Sequence, residues 1–552
     1  MTNKLRQSVL LLLLPLLSFA QDFPLNPMSL SDWQAVKGKW SPAGDLSIHP
    51  LKNQISVENG NSILYASGLA ELETVKPFGD LKLEFEFLQS NEAQASLLLG
   101  GGIEINLGNS SSGNKPFIGT VKGSSQASQN VCKATGLWQK AEITFVTGKE
   151  GTPAILEKLK INGIIIHENV FNWSLEQKTS PIKIALKNGT LAVRNMAVSE
   201  YGDHRPINIG NIKYSLEETF NFKKSEAPDK TPPTTGVLDE ITYRVPHDFR
   251  QYLLTIKGDL EVEEAGTYAF TIEYQGIATF LIDGKQIAGF DDFNYRVPSS
   301  GLVELSEGTH HFEYNYTKAW WPSGLGLFVS GPTFRPYPLH GVSALPDLQT
   351  TGGIFIEPTA EKATLIRSFM EFGDEKKTQV ISVGSPQNRH FSFDLEAGAP
   401  LYGWKGNFAD VTEMWYERGE PQIIKPLGQT ITFSGKNAFK IEENSESLKL
   451  EEYYLDTKGI PTFNYLLNGE LVSQKLIPET KGMTIEVGSE SNKALYLIAS
   501  SKQVKNLGEG LYRTSDYFIN VPEGVKVTEK KVGDQTELWA VANELQSFQI
   551  IW

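Results

Sequence analysis

The chain has 552 residues, a formal net charge of −14 and a single cysteine. That length exceeds what one compact core sustains and, at about 150 residues per domain, gives three or four domains. The acidic balance argues against a nucleic-acid partner, whose phosphates demand a basic face. One cysteine excludes both an internal disulfide and haem attachment through paired cysteines.

Lys4 and Arg6 precede the apolar residues 9–17, which are followed by Ser18, Phe19 and Ala20. A signal peptidase accepts small residues one and three positions before its cut, so residues 1–20 read as an export signal cleaved after Ala20. The apolar run is shorter than the roughly 20 residues of a membrane-spanning helix. No later stretch is apolar enough to span a bilayer. These features predict a periplasmic or secreted protein with no transmembrane segment, and the scarcity of cysteine favours bacterial export.

Period-two alternation dominates the rest. Leu81, Leu83, Phe85 and Phe87 alternate with Lys82, Glu84 and Glu86, and residues 268–274 and 311–316 repeat the pattern. Half-buried antiparallel strands read this way. Turn pairs recur at Asn59-Gly60, Asn162-Gly163, Asn188-Gly189, Asp283-Gly284 and Asn468-Gly469, where the positive φ of a tight hairpin is available. Residues 359–372 are the best candidate for an amphipathic helix. The expected fold is all-β: tandem β-sandwiches over residues 21–201, 207–340 and 354–552. The stretches 202–206 and 336–353, rich in proline and polar residues, divide them.

In the first module, Lys76-Pro77-Phe78-Gly79-Asp80 within residues 69–85 is followed by Ile103-Glu104-Ile105-Asn106-Leu107. Then come Trp138 with residues 139–143, Asn162-Gly163 within residues 161–170, residues 181–184, and Val193-Arg194-Asn195-Met196. In this order the segments resemble the 3-keto-disaccharide hydrolase family, which implies a concanavalin-like jelly-roll sandwich acting on oxidised glycosides. A ketone beside C2 acidifies that hydrogen, so a carboxylate can remove it while the glycosidic oxygen leaves. The resemblance makes Glu104 the candidate base and Arg194 a candidate partner for a carboxylate or sugar hydroxyl. The chain departs from the family at Asn106, Gly108, Ala185 and Lys187, where the family has other polar residues. Cys132 reads as a small, partly buried residue rather than a nucleophile.

The second module carries Gly258-Asp259-Leu260, Ala265-Gly266-Thr267-Tyr268, Phe280-Leu281-Ile282-Asp283-Gly284 and Gly308-Thr309-His310-His311. It resembles the protective-antigen-type β-sandwich. Sugar-binding members hold calcium on adjacent aspartates, which are absent from residues 274–278. No cofactor is therefore expected, and calcium has no support in the sequence. Tyr316, Trp320 and Trp321 are candidate stacking residues for sugar rings. His310 and His311 are strand neighbours that point to opposite faces and so share no metal.

In the third module, residues 367–369, 382–384, 391–394 and 404–415 resemble a β-rich region that accompanies cytochrome and sugar-oxidation domains of exported bacterial proteins. Trp404, Asp410, Trp415 and Arg418 combine stacking with hydrogen-bonding chemistry and are candidate sugar contacts. Arg389 and His390 read as a surface pair. Two functions stay open: binding of an oligosaccharide or polysaccharide, with the modules scaffolding its processing, or cleavage of 3-keto-glycosides by the first module.

Overall fold

The computed structural model describes residues 23–552 except 53, 114–115, 149–151, 174–178, 220–231, 296–297, 319–321, 346–351, 416–421, 442–446, 491–492 and 543–544. Strands account for nearly all of its regular structure, and the single α-helix among the described residues is Thr412–Trp415. The alternation read from the sequence is the alternation of burial. In the strand Leu81–Gln89, Leu81, Leu83, Phe85 and Phe87 are each 2% exposed or less, while the charged residues between them reach the surface. Burying each such side chain stabilises the fold by about 1.5–3 kcal/mol.

Two compact units result. Ser199–Thr350 makes one; Leu25–Val198 and Thr351–Trp552 together make the other. The first and last thirds of the chain therefore share a unit, and the middle third stands by itself.

In the middle unit, Gly266–Ile282 is the organising strand. Its first half pairs with Ser299–Leu305 and Leu325–Gly331, and its second half with Lys285–Tyr295 and Gly308–Lys318. One long strand thus contributes to both layers. The switch falls at Gly276, whose φ is 119° and where the register against Asn294 slips. A residue with a Cβ rarely adopts that angle, so glycine makes the bend inexpensive. Phe270, Phe280, Phe312, Tyr314 and Tyr316 fill the space between the layers.

In the larger unit, Leu25–Val198 forms a sandwich of an eight-stranded and a five-stranded antiparallel sheet. The smaller sheet runs in the order Trp33–Lys37, Ala70–Thr74, Lys183–Asn188, Gln94–Leu99, Ile103–Asn106. Residues 351–552 fold into sheets of six, four and eight strands. These share an apolar core that includes Phe391, Phe393, Phe463, Tyr496, Phe548 and Trp552. The two regions meet through a small cluster of Ala134 and Leu137 against Leu511, Phe518 and Ile551. Ion pairs flank it: Arg513 and Lys505 to Asp45 at 2.7 and 2.8 Å, and Lys133 to Asp516 at 3.0 Å.

Three local expectations change. The helix expected over residues 359–372 is instead the strand Thr364–Phe372, paired with Glu375–Gly384. Ile366, Ser368 and Met370 all turn inward, a period of two that neighbouring strands select over helical propensity. Asn162, Asp283 and Asn468 take the positive φ expected of tight turns. Asn59-Gly60, by contrast, lies inside the strand Ile55–Ser67, where Gly60 passes close to Gly44. Arg389 and His390 are not a surface pair: they are 7% and 0% exposed.

Candidate functional site

Glu104 lies on Ile103–Asn106, the edge strand of the five-stranded sheet. Ile103 and Ile105 point into the core, so period two turns Glu104 and Asn106 to the outer face. Register sets their neighbours. Leu98 stands opposite Glu104 and Ser96 opposite Asn106, with Lys183 and Ala185 next in the two rows. A cleft of about 520 Å³ opens here, lined by Ser96, Glu104, Asn106, Lys122, Gln126 and Lys187 among others.

The cleft's polar groups divide by what already occupies them. Asn106 is committed to its own loop: its amide donates to the carbonyls of Pro116 and Phe117, both at 3.0 Å, and its oxygen accepts from the Gly108 N–H at 3.0 Å. Glu104 pairs with Lys122 at 2.8 Å. Partial burial works against its charge, but the Lys122 ammonium, a Ser96 hydrogen bond and Lys187 outweigh this and hold the carboxyl below its ordinary range. At neutral pH Glu104 is an anion with reduced basicity. It accepts hydrogen bonds well, and it removes a proton from carbon less readily than an unpaired carboxylate.

Arg194 is elsewhere. It lies on Thr190–Glu200 of the eight-stranded sheet, where Glu86 accepts from it at 2.7 Å and its guanidinium stacks 4.0 Å from the Trp138 ring centroid. Glu104 and Arg194 occupy outer faces of different sheets and share no site. The reason is topological: residues matched in sequence order end on opposite layers of the sandwich.

The proposed stacking residues also separate. Tyr316 is enclosed in the middle unit's core, its hydroxyl donating to the Gln275 carbonyl at 3.3 Å. Trp404 is enclosed too, its indole N–H donating to the Phe408 carbonyl at 2.8 Å. Neither ring offers a face to a sugar. Asp410 accepts from the Thr412 N–H at 2.8 Å and so starts the short helix. Trp415 is 58% exposed on that helix. Trp320, Trp321 and Arg418 lie outside the described residues. His310 and His311 each face a different aspartate, Asp283 at 2.6 Å and Asp259 at 2.9 Å. Among the described residues no group of three or more His, Cys, Asp or Glu side chains is arranged to hold a metal.

Sequence reading missed Ser96, Lys122 and Lys187 as neighbours of Glu104. Ser96 follows from strand register and Lys187 from the register break after Leu186, and no short motif displays either. Lys122 comes from the long segment between Ile103–Asn106 and Gln139–Val146, which lacks a periodic pattern.

Comparison with known proteins bears on the same sandwich. Residues 23–199 match the family of 3-keto-alpha-glucoside-1,2-lyase-like domains. No curated protein matches the chain. Among solved structures, a protein from Parabacteroides distasonis provisionally assigned as a glycosyl hydrolase aligns at 8% identity and a TM-score of 0.22, covering 30% of this chain and 89% of its own. A second such structure from that organism aligns at 15% identity and a TM-score of 0.21, over 30% and 100%. An anti-sigma factor domain-containing protein from Clostridium clariflavum aligns at 12% identity and a TM-score of 0.21, over 50% and 84%. Among the described residues no helix is long and apolar enough to cross a membrane. The sandwich that carries Glu104 is thus similar in sequence to a carbohydrate-related domain family along residues 23–199.

Proposed function

We propose that the protein is exported and binds an oligosaccharide or polysaccharide, with the cleft over the five-stranded sheet as its principal contact. The observation that carries this reading is the Glu104–Lys122 pair at 2.8 Å in a polar cleft of about 520 Å³. Paired charges with spare lone pairs and N–H groups suit the alternating donors and acceptors of sugar hydroxyls. Ser96, Gln126 and Lys187 extend that surface, and the resemblance of residues 23–199 to a carbohydrate-related family agrees with it.

The same family match favours a second reading, 1,2-elimination from a 3-keto-glucoside. Glu104 would take the C2 proton, the C2–H electrons would form the C1–C2 double bond, and the C1–O bond would break. The departing oxygen would take its proton from water. Against this stands the Lys122 pairing, which lowers the basicity of Glu104.

Calorimetry with a panel of neutral and 3-keto-disaccharides, with product analysis on the same mixtures, tests both readings. Binding without turnover, weakened about ten- to a hundredfold in Glu104→Gln, is expected from the loss of a charged hydrogen-bond acceptor worth about 1.5–3 kcal/mol. Turnover abolished in that variant would establish the second reading. Absence of both binding and turnover would sink the site.

A further inference from the structure

Arg389, Lys405 and Gln429 stand in one row across three neighbouring strands of the larger unit. Arg389 is the register partner of Lys405, and Lys405 of Gln429, which brings successive Cβ atoms to about 5 Å. The three are 7%, 3% and 0% exposed. Like charges directly opposite on a sheet repel, and a low-dielectric interior strengthens the repulsion. Buried charges are ordinarily paired with an opposite charge. Here burial lowers the pKa of both cations, Arg389 Nη1 donates to the neutral Asn388 carbonyl at 3.3 Å, and no carboxylate pairs with either cation among the described residues.

The donors of the cluster are also incompletely used. Lys405 Nζ donates to the Cys132 carbonyl of the N-terminal sandwich, and an ammonium carries three hydrogens. Arg389 Nε and the Trp552 indole N–H are buried with no hydrogen-bond partner among the described residues. The Arg389 guanidinium lies 5.8 Å from the Trp552 ring centroid. Gln429 Oε1 is likewise unpartnered, but it is a neutral acceptor and offsets no charge. Arg389 thus has a second positive charge on one side and a ring with an orphaned indole N–H on the other, and no carboxylate among the described residues pairs with either cation.

We propose that Arg389, Lys405 and Trp552 form a buried binding site for a small monovalent anion of the halide class, chloride being the common one. An ion that accepts hydrogen bonds and donates none matches three N–H donors. Its charge offsets the Arg389–Lys405 repulsion. Because Lys405 also holds the Cys132 carbonyl, the bound anion fastens residues 351–552 to the N-terminal sandwich. The site is separate from the Glu104 cleft and does not rest on the saccharide reading.

The test is thermal unfolding of the full chain at pH 7 and constant ionic strength, exchanging gluconate for chloride, bromide or phosphate. A saturable rise in the melting midpoint with chloride and bromide is expected, on the order of 1–3 °C per tenfold excess over the dissociation constant. Lys405→Met and, should that variant fail to fold, Arg389→Met are each expected to lose this rise. At pH 9.5 the rise shrinks in the unmodified protein, because Lys405, held by burial at about 8, is then neutral. Equal midpoints in gluconate and chloride, or a full rise retained in the variants, would overturn the site. A rise with phosphate but not with halide would overturn the halide assignment.

Discussion

His390 shows how much a single buried ring can set. Its Nδ1 accepts from the Ser385 N–H at 3.0 Å and its Nε2 donates to the Gly406 carbonyl at 2.9 Å, which fixes one neutral tautomer. Burial pushes its pKa down to about 4, with the Arg389 charge adding to the effect and the Gly406 bond opposing it. An unfolded histidine titrates near 6.5. Between those values the unfolded chain binds the extra proton, so stability rises with pH across that window. The contribution is present in full above about pH 6.5 and is lost as pH falls toward 4. Its size is about 3 kcal/mol. His390→Gln should therefore flatten the dependence of the melting midpoint on pH between 4 and 6.5, and an unchanged slope would reject the assignment. Glu104 was legible as a candidate because its motif survives in sequence. Its pairing with Lys122 was not, because that contact spans 18 positions through an aperiodic segment.

At the scale of elements, alternation was the strongest signal and turn chemistry the next. Strands such as Leu81–Gln89 and Gly266–Ile282 follow directly from period two. Residues 359–372 misled because helical propensity is local, whereas the ladder with Glu375–Gly384 is a tertiary fact. Asn188-Gly189 joins Lys183–Asn188 of the five-stranded sheet to Thr190–Glu200 of the eight-stranded one, a passage between layers. Gly189 has a φ of 80°, and a Cβ there would lie 2.6 Å from the Ala93 Cα and 2.8 Å from the Ser90 Oγ. Gly189→Ala should accordingly destabilise the unit by about 1–3 kcal/mol. Denaturant unfolding checks this, and a midpoint within error of the parent would contradict the close approach.

At the scale of the whole molecule, the junction inside the larger unit is the decisive feature. Asp45 receives both Lys505 and Arg513. Burial acts to raise its pKa, but the two cations outweigh it and hold the carboxyl below its usual range. The stability this gives is present above the ordinary aspartate pKa of about 3.9 and is lost as pH falls through the lower folded value. Asp45→Asn should cost about 2 kcal/mol at pH 7, because two partly buried cations lose their shared partner. The difference from the parent should vanish in strong acid. A melting midpoint unchanged at pH 7 would show the junction to be dispensable. The sequence by itself determined the all-β character, the strand periodicity and the resemblance of the first module, because these are written in residues near one another along the chain. Only the tertiary structure decided that Glu104 and Arg194 face apart, that Tyr316 and Trp404 are core, and that the first and last thirds of the chain join. Those outcomes depend on which strands pair and in what register, and a shift of one residue reverses the face of every side chain on a strand.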